Sequence, residues 1–387
     1  MLASFSKHFI QKGVSVATKT KVKRVTITED NEKFVDGEEL DFIKKLASDV
    51  NAVLKKDTIM VGEDAGDDGV PYWVRTGIPQ LDYAVGGSNH PGFPCARITE
   101  IFGGEGVGKS TLAVWLMKQA MEQIGSISYY QDAERVLTPE IIRGTGINMD
   151  KVLRDQPDTI EEAFDAQDAI LEVLKKKAPD KPVTIILDSI AACSTQAEID
   201  GDMGDSQMAS LARLMSKGLR KIKSPITESK VLSIWVNQIR EKMNVSWGDN
   251  TTTSGGRAMA FFASVRVQLT KVKTLKKDKG DPYGCTIQAV IKKNKVSRPL
   301  VKAEYDILFI EDEKGSYPKI DVEGAILDWC KEHKLIGGST GRYELNGKSY
   351  YKDGARQELQ QNPELYDDLV KMAYSVNPNL EREDEDE

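Results

Sequence analysis

Cysteine is scarce in this chain of 387 residues. The four present, Cys95, Cys193, Cys285 and Cys330, are widely separated and form no CxxC pair. That spacing argues against a disulfide framework or a thiolate zinc site and fits a reducing compartment. Long apolar runs are also missing. No stretch approaches the roughly 20 residues that a membrane-spanning helix needs, so no membrane partner is expected. No segment repeats another. Acidic residues are absent from positions 1–28, which hold several lysines and one arginine, Arg24. An acid-free basic start can mark a transit peptide. With a single arginine, residues 1–35 read better as a flexible N-terminal arm.

Charge is present but unevenly placed. The net charge of −7 would by itself argue against a nucleic-acid partner. Yet residues 271–302 contain ten Lys or Arg, and the last seven residues, EREDEDE, are almost all acidic. Such asymmetry says more about partners than the sum does. The acidic tail is expected to be disordered.

Residues 38–56 carry Leu40, Ile43, Leu46, Val50, Val53 and Leu54 at helical spacing, one apolar stripe ahead of the linker GEDAGDDG at 62–69. From Trp73 to about Glu313, strand and helix patterns alternate, which predicts an α/β fold around a mostly parallel sheet. A small α+β C-terminal domain follows, with a helix at 322–333, a Gly-rich turn at 337–341 and a helix over PELYDDLVKMAY. The boundaries read as 1–70, 71–318, 319–380 and the tail 381–387.

The strand pattern RITEIF at 97–102 runs into GGEGVGKST and then into a helical pattern. From Gly103 to Ser110 this is G-x-x-x-x-G-K-S. Gly103, Gly104, Gly106 and Gly108, with Glu105 and Val107 between them, let backbone N–H groups surround phosphate oxygens. The helix start at Ser110 and Thr111 favours the anion. Lys109 is placed for the β- and γ-phosphates and Ser110 for a metal, so ATP and Mg²⁺ are the expected cofactors. Three further strand patterns end in polar residues: Asp132–Ala133–Glu134, Asp188–Ser189 and Asn237–Gln238. Ligands bind at the carboxyl ends of strands in open α/β sheets. Asp188 fits the second Mg²⁺ anchor, and Glu134 fits a general base for the attacking water. Gln238 opens a stretch, QIREKMNVSWGDNTTTSGG (238–256), with neither helical nor strand period, the kind of long loop that is usually functional or disordered.

Residues 206–222 read as a helix. Met208, Leu211, Met215, Leu219 and Ile222 form a buried stripe, while Arg213, Lys217 and Arg220 share another face. That basic face suits a nucleic-acid backbone rather than base reading.

Together, GGEGVGKST, YQDAE, QPDT, IILDSIAA, AEIDGDMGDSQM, VNQIR, TTTSGG, FFASVR and KKNKVSRP resemble the RecA-type strand-exchange recombinases nearly end to end. The resemblance implies a P-loop RecA-type core with an N-terminal docking helix, and a bacterial or bacteriophage protein acting in the cytoplasm. It makes Lys109 and Ser110 the nucleotide and Mg²⁺ contacts, Glu134 the water-activating base, Asp188 the second acid and Gln238 the γ-phosphate sensor. Lys293 and Lys295 would reach ATP on a neighbouring subunit. DNA-binding loops are implied at about 199–208 and 239–256. Contacts fall to Met208, Arg213, Ser216, Arg220, Arg240, Lys242, the Gly255 and Gly256 amides, and Met243 or Trp247 near bases. The helix at 38–56 and the DTIM strand at 57–60 would dock on the adjacent subunit, giving a filament on single-stranded DNA that pairs with double-stranded DNA. The acidic tail would damp DNA binding. Ile141 stands where the family commonly has an adenine-stacking Tyr. Arg135 replaces a usual His, Arg257 a usual Asn and Ala260 a usual Lys. Two other readings share the phosphate loop: a hexameric DNA helicase, and a DNA-coating regulator that binds ATP only as a switch.

Overall fold

The computed structural model describes residues 37–55, 69–201, 208–241, 251–276 and 280–376. The arm, the DTIM strand, most of the linker, residues 202–207 of the first loop, residues 242–250 of the second and the acidic tail lie outside the described residues. The chain divides into two units, Met1–Gly66 and Asp67–Glu387. In the first, α1 (Gly37–Leu54) takes up the expected helix. Its apolar side chains Phe42, Ile43, Leu46, Val53 and Leu54 are exposed.

In the second unit, β1 (Trp73–Val74) pairs with β2 (Phe93–Pro94) around α2 (Pro79–Gly86). β3 (Arg97–Gly103) then enters the main sheet and α3 (Lys109–Gln123) leaves it. There follow β4 (Ile127–Asp132), α4 (Pro139–Thr145), β5 (Val152–Asp155), α5 (Ile160–Lys177) and β6 (Val183–Asp188). After α6 (Gln196–Asp200) and α7 (Met208–Glu228) come β7 (Leu232–Glu241), β8 (Thr251–Thr253) and α8 (Ala258–Phe262). The strands β9 (Val265–Lys276), β10 (Pro282–Asn294), β11 (Lys302–Asp312) and β12 (Gly315–Ile320) complete the sheet. The C-terminal elements are α9 (Val322–Glu332), β13 (Arg342–Leu345), β14 (Lys348–Tyr351), α10 (Lys352–Gln361) and α11 (Pro363–Ala373).

The sheet runs β12-β11-β10-β9-β3-β7-β6-β4-β5. From β9 to β5 every pairing is parallel; from β9 to β12 the strands form an antiparallel meander. The meander is where the alternating α/β pattern stops. β9 buries Val265, Val267 and Leu269 at every second position before its outer half turns basic. A strand with one wet face tolerates that change, and antiparallel strands need no crossover helix.

Apolar cores cover both faces. Ile101, Tyr130, Ile186 and Val236 pack with α3 on one side. Tyr129, Ile185, Leu187 and Trp235 pack with Phe164 of α5 and Met215 and Leu219 of α7 on the other. Successive residues of β6 thus enter opposite cores, the signature of a strand buried on both faces. A third cluster joins Trp329, Cys330, Leu359 and Leu369 of the C-terminal helices to Tyr83 of α2.

The stretch 238–256 is not a free loop from its first residue. β7 continues to Glu241 and pairs antiparallel with β8, with Ile239 opposite Thr253 and Glu241 opposite Thr251. The single apolar residue of Gln-Ile-Arg-Glu is too little for a strand period. A buried polar network sets the pairing instead. Asn237 donates to Glu100 Oε1 at 2.9 Å and to the Ser254 carbonyl at 3.0 Å, and its own Oδ1 accepts the Gln238 N–H at 2.9 Å. Arg266 closes the network on the other oxygen of Glu100.

Candidate functional site

The phosphate loop leaves β3 at Gly103 and enters α3 at Lys109. Gly108 sits at φ 78, and a Cβ there would come within 2.4 Å of Ile307 Cδ1. The left-handed backbone is what favours glycine here, with the tip of Ile307 adding a close approach. At Gly104 and Gly106 a Cβ would meet open space. The loop is therefore uncovered there and leads into a helix N-terminus, the setting that holds phosphate. The Lys109 ammonium donates to the Gly104 carbonyl at 2.6 Å, across this loop. Burial pulls its pKa down, while Glu134, Asp188 and Glu105 push it back up.

Asp188 ends β6 opposite Asp132 of β4 and is fully buried. Burial pushes its carboxyl up to about 6, against hydrogen bonds from Tyr130 and Ser110 that lower it. Its Oδ2 accepts from the Tyr130 hydroxyl at 2.7 Å, whereas its buried Oδ1 has no hydrogen-bond partner. A buried acceptor without a donor is costly. One carboxylate oxygen left open beside a serine hydroxyl is the donor set that a hard cation such as Mg²⁺ uses, so the residues present fit that ion.

Glu134 lies in the turn after β4, and its N–H donates to the Asp188 carbonyl at 3.0 Å. Its Oε1 accepts from Ser189 Oγ at 2.9 Å and from Gln238 Nε2 at 2.5 Å. Arg135 follows at φ 59, in the left-handed region. The turn is held by Asp132, which accepts the Val136 N–H at 2.8 Å and pairs with Arg154 at 2.5 Å. Ile141 is half-buried against the α3-side core. Lys109, Ser110, Asp188, Glu134 and Gln238 thus converge on the carboxyl edge of β3, β4, β6 and β7. Glu105 is exposed there, while Val107 and Thr111 are buried.

Lys293 and Lys295 are not part of that cluster. Lys293 pairs with Arg266, and Arg266 pairs with Glu100 of β3, three residues before the Gly103 edge. Its ammonium caps α8 through the Ala260 and Phe261 carbonyls at 2.8 and 3.0 Å. Burial, with Lys295 and Arg266 nearby, lowers it to about 8.

α7 presents the expected faces. Met215, Leu219 and Ile222 are buried, and Arg213, Lys217 and Arg220 are exposed. With Ser216, Arg257 and Phe261 they line a groove of about 590 Å³ between α7 and α8, and no acidic residue is among its described lining. The Ser216 hydroxyl donates to the Ala212 carbonyl at 2.9 Å. Gly255 takes φ 77, and a Cβ there would meet Met215 Cγ at 2.9 Å, so the root of the second loop lies directly on α7. The side chains of Met208 and Arg240, and all of Lys242, Met243 and Trp247, lie outside the described residues. The sequence reading named Ser189 and Asn237 only as polar strand ends, and it missed Tyr130, Arg154 and the links of Asn237 and Arg266 to Glu100.

Residues 42–313 match the model of the RecA N-terminal domain. Among curated proteins, Protein RecA of Streptomyces venezuelae is 37% identical over 313 residues, covering 79% of this chain and 78% of that protein. Protein RecA of Chlamydia caviae is 35% identical, covering 79% and 83%. Protein RecA of Corynebacterium aurimucosum is 38% identical, covering 80% and 78%.

Proposed function

We propose a working order for this site from the premise that the chain belongs to the RecA family and is, with it, an ATP-dependent DNA recombinase and DNA-dependent ATPase. ATP phosphates occupy the cradle of Gly103–Thr111, and the Lys109 ammonium turns from the Gly104 carbonyl to the β- and γ-phosphates. Ser110 and the open oxygen of Asp188 would hold Mg²⁺, which would supply neutralisation of phosphate charge when bound. Glu134 accepts a proton from the attacking water, with Ser189 fixing its carboxylate.

The observation that carries the reading is the 2.5 Å contact from Gln238 Nε2 to Glu134 Oε1. It joins the proposed base to the first residue of the hairpin that leads into 242–250. A γ-phosphate that draws Gln238 away from Glu134 frees the base and shifts the hairpin in one movement, an order–disorder device of the kind that couples nucleotide state to a loop. Single-stranded DNA then lies along Arg213, Ser216 and Arg220 and the Gly255 and Gly256 amides. Met208, Arg240, Lys242 and Met243 complete the path. Basic grooves with apolar side chains bind single strands without a sequence code, so homology is tested by base pairing with the incoming duplex.

Assembly is heterologous. The exposed stripe of α1 suits an apolar groove of about 250 Å³ beside edge strand β5, lined by Leu153, Ile170, Val173 and Leu174. A neighbour's α1 seated there builds a filament. Lys293 and Lys295, set back from their own phosphate loop, then serve the ATP of the next subunit. The buried free cysteines support a reducing compartment such as the bacterial cytoplasm.

The test is ATP hydrolysis with and without single-stranded DNA, at two salt concentrations. DNA is expected to stimulate turnover. Glu134→Gln is expected to lower it by roughly 10²-fold or more while the protein still coats DNA. Equal turnover with and without DNA would overturn the coupling, and negligible turnover with intact DNA coating would favour the switch-only regulator.

A further inference from the structure

Tyr130 sits in β4 on the α3 side of the sheet, with no exposed surface. It pairs with Ile186 of β6, and Asp132 pairs with Asp188, so the phenol reaches diagonally to the carboxylate two residues further along the neighbouring strand. Its hydroxyl donates to Asp188 Oδ2 at 2.7 Å. Towards a carboxylate oxygen a phenol hydroxyl acts as the donor.

We propose that Tyr130 is a positioning residue for the metal anchor: by occupying Oδ2 it fixes the rotation of the Asp188 carboxylate and reserves Oδ1 for the cation held with Ser110. Four observations carry this. Tyr130 is fully buried, its hydroxyl reaches Oδ2, Oδ1 is buried without a partner, and Ser110 acts on the same carboxylate. The adjacent Tyr129 shows that a strand tyrosine does not reach this site by default. It faces the other core and donates to Asp155 Oδ2 at 2.5 Å. Partners of a ligating carboxylate typically change metal affinity by about tenfold or more when removed. The inference rests on the reading of Asp188 as the Mg²⁺ anchor.

The experiment is Mn²⁺ binding, followed by electron paramagnetic resonance with a non-hydrolysable ATP analogue, in the wild type, Tyr130→Phe and Tyr129→Phe. Mg²⁺ titrations of ATP turnover accompany it. Tyr130→Phe is expected to weaken Mn²⁺ binding about tenfold and to raise the Mg²⁺ concentration for half-maximal turnover by the same factor. Turnover at saturating Mg²⁺ should return to near the wild-type rate, and Tyr129→Phe should match the wild type in both assays. Unchanged Mn²⁺ affinity in Tyr130→Phe, a rate that excess Mg²⁺ does not restore, or a Tyr130→Phe protein that fails to fold would each overturn the assignment. If the wild type itself binds no Mn²⁺ with nucleotide, the reading of the anchor falls first. If the wild type binds and Tyr130→Phe binds equally, only the role of Tyr130 falls.

Discussion

Asp82 of α2 is fully buried and collects four donors: the Thr76 N–H and hydroxyl, the Gly77 N–H and the Tyr374 hydroxyl. Burial still outweighs them and lifts its carboxyl from 3.8 to about 6. A carboxyl raised on folding contributes stability that is complete below its unfolded value and is lost as pH rises through its folded value. The wild type should therefore lose about 3 kcal/mol at this group between roughly pH 4 and pH 7. Asp82→Asn should be less stable near pH 4 and flatter across that window. Thermal unfolding at three pH values checks this, and equal slopes in the two proteins would remove Asp82 from the account. At this scale the sequence was legible where chemistry is local in the chain, as in Gly103–Ser110. Tyr130 was not legible, because its contact depends on the register between β4 and β6, which no residue of either strand announces.

At the scale of elements, the proposal gives α7 and the β7–β8 hairpin the hold on DNA. Each cation that neutralises a phosphate on a single strand adds about 0.7 to the slope of log affinity against log salt. Replacing Arg213 and Arg220 by Gln should flatten that slope by about 1.4 without altering sequence preference. Binding measured at four salt concentrations reads this directly, and an unchanged slope would place the strand elsewhere. The helix itself was plain from its 3.6-residue period. The hairpin was not, since a Gly- and Thr-rich stretch with one apolar residue carries no period, and Asn237 ties β7 to the end of β8 through the Ser254 carbonyl. The lysine-rich 271–276 run was likewise hidden as a strand, because only the first half of β9 buries alternate residues.

At the scale of the whole molecule, the proposal seats the exposed apolar side chains of α1 in the apolar groove at β5 and α5 of a neighbouring copy. Leu153 is 56% exposed in this groove. Leu153→Asp should therefore leave the fold intact and stop ATP- and DNA-dependent assembly, seen as loss of the fast-sedimenting species. Normal filaments from that variant would move the interface. The parallel half of the sheet and the convergence of strand ends were legible as alternation and polar termini. That Lys293 and Lys295 serve a neighbour's phosphate loop was expected only through the family resemblance, because their place follows from strand direction in the meander and not from any residue pattern. The central claim is that nucleotide state reaches DNA through Gln238. The most direct measurement is the Kd for single-stranded DNA with a non-hydrolysable ATP analogue and with ADP, in the wild type and in Gln238→Ala. The account predicts that the two nucleotides differ about tenfold or more in the wild type and barely differ in Gln238→Ala. A Gln238→Ala protein that keeps the wild-type ratio would contradict it.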